Sequence, residues 1–148
     1  MHSKSGNEGF TLVELMIVIA LIAVIAGFAV PQFGRIIDNN RVVSTSNSIV
    51  GLLNYSRSEA VRRGERVTAT SASNTMQATV ASSGTVIREI EEASGDLSIS
   101  AGSVTFRANG LTTSTANVTF NVCAGEADGT SVTVTPGGRV STADFNCP

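Results

Sequence analysis

Hydrophobic positions are unevenly spread along the 148 residues. The sixteen consecutive positions 15–30 hold fifteen apolar side chains and Gly27, with no charge. Positions 10–13 extend this segment to 21 residues, interrupted by one acid, Glu14, and followed by Pro31. At roughly 1.5 Å per residue, 21 helical residues span about 31 Å, close to the ~30 Å hydrocarbon thickness of a bilayer. The pattern therefore predicts a helix over 10–31 that is apolar on every side and can cross a membrane. Beyond Pro31 the apolar residues become periodic. Ile36, Val43, Val50, Leu53 and Ala60 recur at steps of seven, seven, three and seven, with Val42 and Ile49 beside them, while Arg35, Asp38, Asn39 and Arg41 take other positions. This predicts an amphipathic continuation over 32–64, ending near Arg63 with Gly64 as the C-cap. Gly34 and Gly51 weaken it by about 1 kcal/mol each relative to Ala. Its apolar face must be covered, and a sheet is the expected cover.

After Gly64 the helical period gives way to short β-favouring runs at 67–70, 76–80, 86–90, 104–107, 118–122 and 132–135, with Val140 opening a last one. Six or seven short strands separated by Ser, Asn and Gly predict an antiparallel sheet. The expected class is α+β, a long N-terminal helix packed on a β-rich head over 65–148. Phe106 and Phe120 fall inside two runs and are expected in the core. Glu89, Glu91, Glu92 and Asp96 are expected to form a solvated acidic loop.

Composition narrows the chemistry. There is one histidine, His2, no Trp, and two cysteines. A histidine-dependent active site or a His-rich metal cluster is excluded. No nucleophile-elbow motif or phosphate loop occurs, and the 34 Ser and Thr residues are no sign of catalysis by themselves. The chain reads as non-enzymatic, with no cofactor and no metal. Its net charge of −2 lacks the broad positive field of a protein that binds nucleic acid by charge, so any such binding would be local.

The N-terminal segment has competing readings. A secretory signal peptide could be cut near Ala26, Gly27 and Ala29, but Glu8 and Glu14 oppose the positive n-region that such a signal needs. A plain anchor leaves Glu14 unexplained, since an unpaired carboxylate near the membrane core costs roughly 2.5–3.5 kcal/mol. The stretch Gly9-Phe10-Thr11-Leu12-Val13-Glu14 before an apolar run resembles the class III signal of type IV pilins and type II secretion pseudopilins. That resemblance implies removal of residues 1–9 by prepilin peptidase, between Gly9 and Phe10, and N-methylation of Phe10. It implies that Glu14 pairs with the terminal amine of a neighbouring subunit, and that Pro31 stands where many pilins kink. Two groups costly to bury alone become cheaper together, in the assembled register only. A Glu14 that merely snorkels to the headgroups is the simpler alternative.

Residues 52–64, with Leu53, Arg57, Ser58, Glu59, Ala60, Arg62 and Arg63, resemble the signature of the GspH/FimT family of minor pilins and pseudopilins. The implied partners are other major and minor pilins or pseudopilins, prepilin peptidase and the inner-membrane assembly platform. The implied place is the inner membrane, crossed once, with the head in the periplasm, and then a pilus or pseudopilus. Arg57, Arg62, Arg63 and Arg66 form either a patch for a polyanion or a helix C-terminus stabilised by its dipole, with Glu59 pairing Arg62 or Arg63. Cys123 and Cys147 follow the membrane segment, and an oxidising periplasm predicts a disulfide between them, worth roughly 3 kcal/mol for a loop of about 25 residues. It would tie a hairpin turning at Pro136, Gly137 and Gly138 to the strand ending near Val122.

Some FimT-type pilins are DNA receptors with a Gly-Arg-x-Arg motif near the C-terminus. Here the stretch is Gly138-Arg139-Val140-Ser141, so Arg139 is present and the second Arg is not. Residues 35–66 carry six Arg against three acids, but residues 67–148 carry three Arg against seven acids, which opposes DNA binding by the tail. Arg139 is more simply a strand residue capping the turn or pairing with Asp144. The sequence thus favours a structural subunit that primes or joins filament assembly, with a pilus-tip DNA receptor as the alternative.

Overall fold

The computed structural model describes residues 10–90, 95–125 and 128–147, with the side chains of residues 28–32 outside that set. One helix, α1 (Leu12–Arg63), is followed by eight strands: β1 (Val67–Ala72), β2 (Thr75–Val80), β3 (Val86–Ile90), β4 (Leu97–Ile99), β5 (Gly102–Phe106), β6 (Val118–Ala124), β7 (Gly129–Val134) and β8 (Val140–Phe145). By packing, the chain divides into two units, Met1–Gly34 and Arg35–Pro148.

In the first unit α1 begins at Leu12, and its described apolar side chains over 12–27 are exposed all round. Among the described residues, whose side chains stop at position 27 and resume at 33, no helix is long and apolar enough to cross a membrane. The backbone stays helical through position 31.

In the second unit the helix ends where expected. Gly64 adopts φ +69°, the left-handed conformation that closes a helix and that a Cβ disfavours. The buried seam runs through Val42, Ser46, Ile49, Leu53, Ser56 and Ala60, at alternating steps of four and three, with Leu52 and Glu59 alongside. This corrects the predicted face. Ile36 and Val43 are more than half exposed, and Val50 only borders the core. Ser46 and Ser56 fill seam positions that a hydrophobicity pattern passes over; Ser56 satisfies its hydroxyl locally by donating to the Leu52 carbonyl at 2.7 Å.

The strands form two antiparallel four-stranded sheets where one was expected, in the orders β3-β2-β1-β5 and β4-β6-β7-β8. The chain enters the second sheet at β4, returns to the first at β5, and then completes the second through β6, β7 and β8. The β1–β2 hairpin turns on Ser73 and Asn74, both at positive φ, the type I′ geometry that matches strand twist. Asn74 Oδ1 then accepts the Ile99 N–H at 3.1 Å, tying this hairpin to β4 of the other sheet.

Alternation along the strands builds a single core. Val67, Ala69, Met76, Ala78, Val104 and Phe106 come from the first sheet; Leu97, Ile99, Phe120, Val122, Val132 and Val134 come from the second. Phe106 and Phe120 are fully buried, as expected, each worth roughly 2–3 kcal/mol of transfer free energy. Of the acidic loop, Glu91 and Glu92 lie outside the described residues. Glu89 is exposed on β3, while Asp96 lies 3.7 Å from Arg41, which also reaches Asp38 at 3.6 Å.

Candidate functional site

The start of α1 is a capping box. Thr11 is the N-cap and Glu14 the third helical residue. Glu14 donates its N–H to Thr11 Oγ1 at 3.2 Å, and its Oε2 accepts both the Thr11 N–H at 3.0 Å and the Thr11 hydroxyl at 2.8 Å. The pattern Thr11-x-x-Glu14 was legible in the sequence but was obscured by the assembly motif that overlaps it. The cap places Glu14 one turn from Phe10, which is 90% exposed, and satisfies one carboxylate oxygen within the chain. Gly9 lies outside the described residues, as does the side chain of Pro31.

The arginine cluster separates into groups doing different things. Arg62 Nε and Nη2 donate to Glu59 at 2.8 and 2.6 Å, and Arg63 Nε donates to the same carboxylate at 2.7 Å. Glu59 is only 7% exposed. These donors, Arg62 first and Arg63 second, hold its carboxyl at about 2, well below the ordinary 4.5. Arg57 points back along the head. Its Nε donates to the Gly110 carbonyl at 3.0 Å and its Nη2 to the Gly137 carbonyl at 3.4 Å. One guanidinium thereby joins the helix to two turns. Gly138, buried at φ +77°, lets those turns meet, since a Cβ there would collide with the Gly110 carbonyl oxygen and lie 3.0 Å from Arg57 Nε. The Thr112 N–H donating to the Pro136 carbonyl at 3.0 Å closes the junction.

Arg66 is exposed and lines a shallow pocket with Arg107, Ala108 and Asn109. Arg107 was missed by the sequence reading, because it lies 41 positions beyond Arg66 and no local signal connects them. Arg139 is exposed in the β7–β8 turn, where its carbonyl accepts the Thr135 N–H at 3.0 Å and its N–H donates to Thr135 Oγ1 at 3.3 Å. Among the described residues no ion pair joins it to Asp144, which sits opposite Thr130 in β8; the expected capping role is therefore carried by the main chain, and the expected pairing is not made. The fold nonetheless brings the Arg139 turn onto the loop that follows Arg107, through the Thr112 N–H that donates to the Pro136 carbonyl.

Cys123 on β6 and Cys147 beyond β8 are bonded, as expected. Because β7 lies between β6 and β8, the bond crosses the middle strand and fixes the last edge of the sheet.

The architecture is that of a type IV pilin. Among solved structures, the type IV minor pilin FimU of Pseudomonas aeruginosa superposes with a TM-score of 0.62, at 21% identity, over 70% of this chain and 89% of that one. A second crystal form of FimU gives a TM-score of 0.57 over 68% of this chain and 90% of that one. Residues 45–138 match the family described as Type II transport protein GspH, and residues 4–30 match the prokaryotic N-terminal methylation motif. The chain belongs to the GspH family. The type IV major fimbrial protein FimA of Dichelobacter nodosus is 49% identical over 39 residues, 26% of this chain. That match spans about a quarter of the relative's own length.

Proposed function

We propose that this protein is a structural, non-enzymatic minor subunit that primes or joins a type IV pilus or a type II secretion pseudopilus. In this reading prepilin peptidase cuts between Gly9 and Phe10 and Phe10 is N-methylated. Residues 10–31 then hold the subunit in the inner membrane, the head lies in the periplasm, and the assembly platform passes the subunit to the filament. The observation that carries the reading is the start of α1. A methylation motif leads directly into a capped helix whose side chains over 12–27 are exposed and almost all apolar. Such a surface is costly in water and needs lipid or other helices around it. Glu14 keeps one oxygen for the Phe10 amine of a neighbour, which makes it a selector for the assembled register. Glu14→Ala is expected to leave processing intact and to lower recovery in sheared filaments at least tenfold. Recovery equal to wild type would contradict the role.

The second reading is a pilus-tip DNA receptor. It is supported by Arg66, Arg107 and Arg139, all exposed, with the Arg139 turn packed on the loop after Arg107. Arg57, Arg62 and Arg63 contribute less, being engaged within the chain. If DNA binds here, changing all three exposed arginines to Ala lowers the salt slope of binding by about 1 for each lost phosphate contact. Unchanged affinity and slope would remove this reading.

A further inference from the structure

The first sheet sets two arginines against each other. β1 and β5 are antiparallel, with Val67 opposite Phe106 and Thr68 opposite Thr105. Val67 and Phe106 are buried in the core, so Thr68 and Thr105 face outward, and their hydroxyls meet at 2.9 Å. Continuing that register by one position beyond Val67 places Arg66 opposite Arg107, on the outward face that the two threonines share. The Ala81 N–H, donating to the Arg66 carbonyl at 2.9 Å, carries the β1–β2 pairing through residue 66. Opposed side chains of an antiparallel pair have Cβ atoms roughly 4.5–5.5 Å apart, and like charges at that spacing destabilise the pair.

The surroundings do not relieve that repulsion. Among the described residues neither guanidinium makes a hydrogen bond or an ion pair. The acids nearest in sequence have other partners: Glu59 takes Arg62 and Arg63, and Glu65 accepts the Ser82 hydroxyl at 2.8 Å. Arg66 and Arg107 instead wall a shallow pocket of about 360 Å³ with Gly64, Glu65, Ala108 and Asn109. Asn109 Oδ1 accepts the Leu111 N–H at 3.1 Å, which leaves its Nδ2 as a donor. The loop that carries Arg107 and Asn109 is held by its own main chain. The Arg107 N–H donates to the Leu111 carbonyl and the Gly110 N–H to the Arg107 carbonyl, both at 2.8 Å. Two exposed cations and an amide donor therefore share one concavity on a fixed frame.

We infer that Arg66 and Arg107 form a clamp for a phosphoryl dianion, either free phosphate or a phosphomonoester. Two guanidinium groups, each a planar fork of donors, match the several oxygens and the charge of roughly −2 that such a group carries at neutral pH. A carboxylate or a phosphodiester brings a single charge and leaves one arginine uncompensated. The inference shares two residues with the DNA reading above and does not rest on it, because a DNA backbone is built of diesters. The test titrates the full-length chain, in a maltoside detergent that carries no phosphate, with inorganic phosphate, glycerol 3-phosphate and dimethyl phosphate. The Nε–H resonances of Arg66 and Arg107 report binding. Both are expected to shift together at millimolar inorganic phosphate, with dimethyl phosphate at least tenfold weaker. Tighter binding of glycerol 3-phosphate than of inorganic phosphate assigns the clamp to a phosphorylated ligand; the reverse order assigns it to the free anion. Arg66→Gln and Arg107→Gln are each expected to weaken phosphate binding at least tenfold, while Arg88→Gln, which removes the same charge from β3, leaves it unchanged. In chloride alone the two clamp variants are expected to melt no lower than wild type, since each relieves the opposed charges. Equal affinity for dimethyl phosphate, equal weakening by Arg88→Gln, or no shift of either resonance overturns the inference. A lower melting temperature of both clamp variants in chloride overturns it as well, by showing that the pair holds the fold.

Discussion

Residues 12–27 and residues 42–60 lie on one helix, yet only the second set finds its packing partners in the head. Ile49, Leu52 and Leu53 are fully buried against the head. Around Ile17, Ile19, Leu21 and Ile22 more than half of each side chain is exposed. The difference lies in periodicity. A stripe interrupted by polar residues every turn specifies a partner on one side, which the β-rich head supplies. An apolar surface on all sides specifies partners all round, which one head cannot supply and a bilayer or a bundle of neighbouring helices can. The first kind of burial stabilises the fold; in the function proposed above, the second is held back for assembly.

The comparison breaks most visibly under truncation. Phe120→Ala should cost the head about 3–5 kcal/mol, and Leu53→Ala about 2–5 kcal/mol, measured by chemical denaturation of the detergent-solubilised chain. Ile22→Ala should stay within about 0.5 kcal/mol in the same assay while lowering filament recovery. Similar losses of fold stability from Ile22 and Leu53 would abolish the distinction. Next in size is the disulfide. Cys123→Ser with Cys147→Ser should lose roughly 3 kcal/mol and speed amide exchange along β8.

A smaller effect is expected from Arg57→Ala, about 1–3 kcal/mol, because two main-chain carbonyls lose a charged donor. Its distinguishing readout is local: faster exchange in the Gly110 and Gly138 turns, with the strands unchanged. The smallest concerns Glu59. Its carboxyl sits at about 2, below the ordinary 4.5, so it contributes stability that is full above about 4.5 and is lost as pH falls toward 2. Glu59→Gln should flatten stability against pH across that window and leave the curve above it parallel to wild type. An unchanged slope would show that the Arg62 and Arg63 contacts do not persist in solution.

Local signals carried much of the fold. Alternation and turn residues placed seven of the eight strands, and Gly64 marked the helix end. β4 escaped notice because three residues, Leu97, Ser98 and Ile99, give alternation too little length to register. The buried seam was rotated for a related reason. Val42 and Val43, and Ile49 and Val50, are adjacent apolar pairs, so the sequence offers two overlapping stripes, and only the sheets decide which is covered. The division into two sheets depends on pairings across the chain that no short window contains. At the sites, the processing motif and the cysteine pair were readable, while the inward course of Arg57 depended on turns 53 and 80 residues away. Arg107 became visible only when the fold set it beside Arg66.

The most direct test of the central claim is intact mass and N-terminal analysis of the protein recovered from membranes, with and without reduction. A mature chain beginning at N-methylated Phe10, gaining two protons on reduction, is the predicted result. A chain that still begins at Met1, or one that begins beyond Ala29, would contradict it.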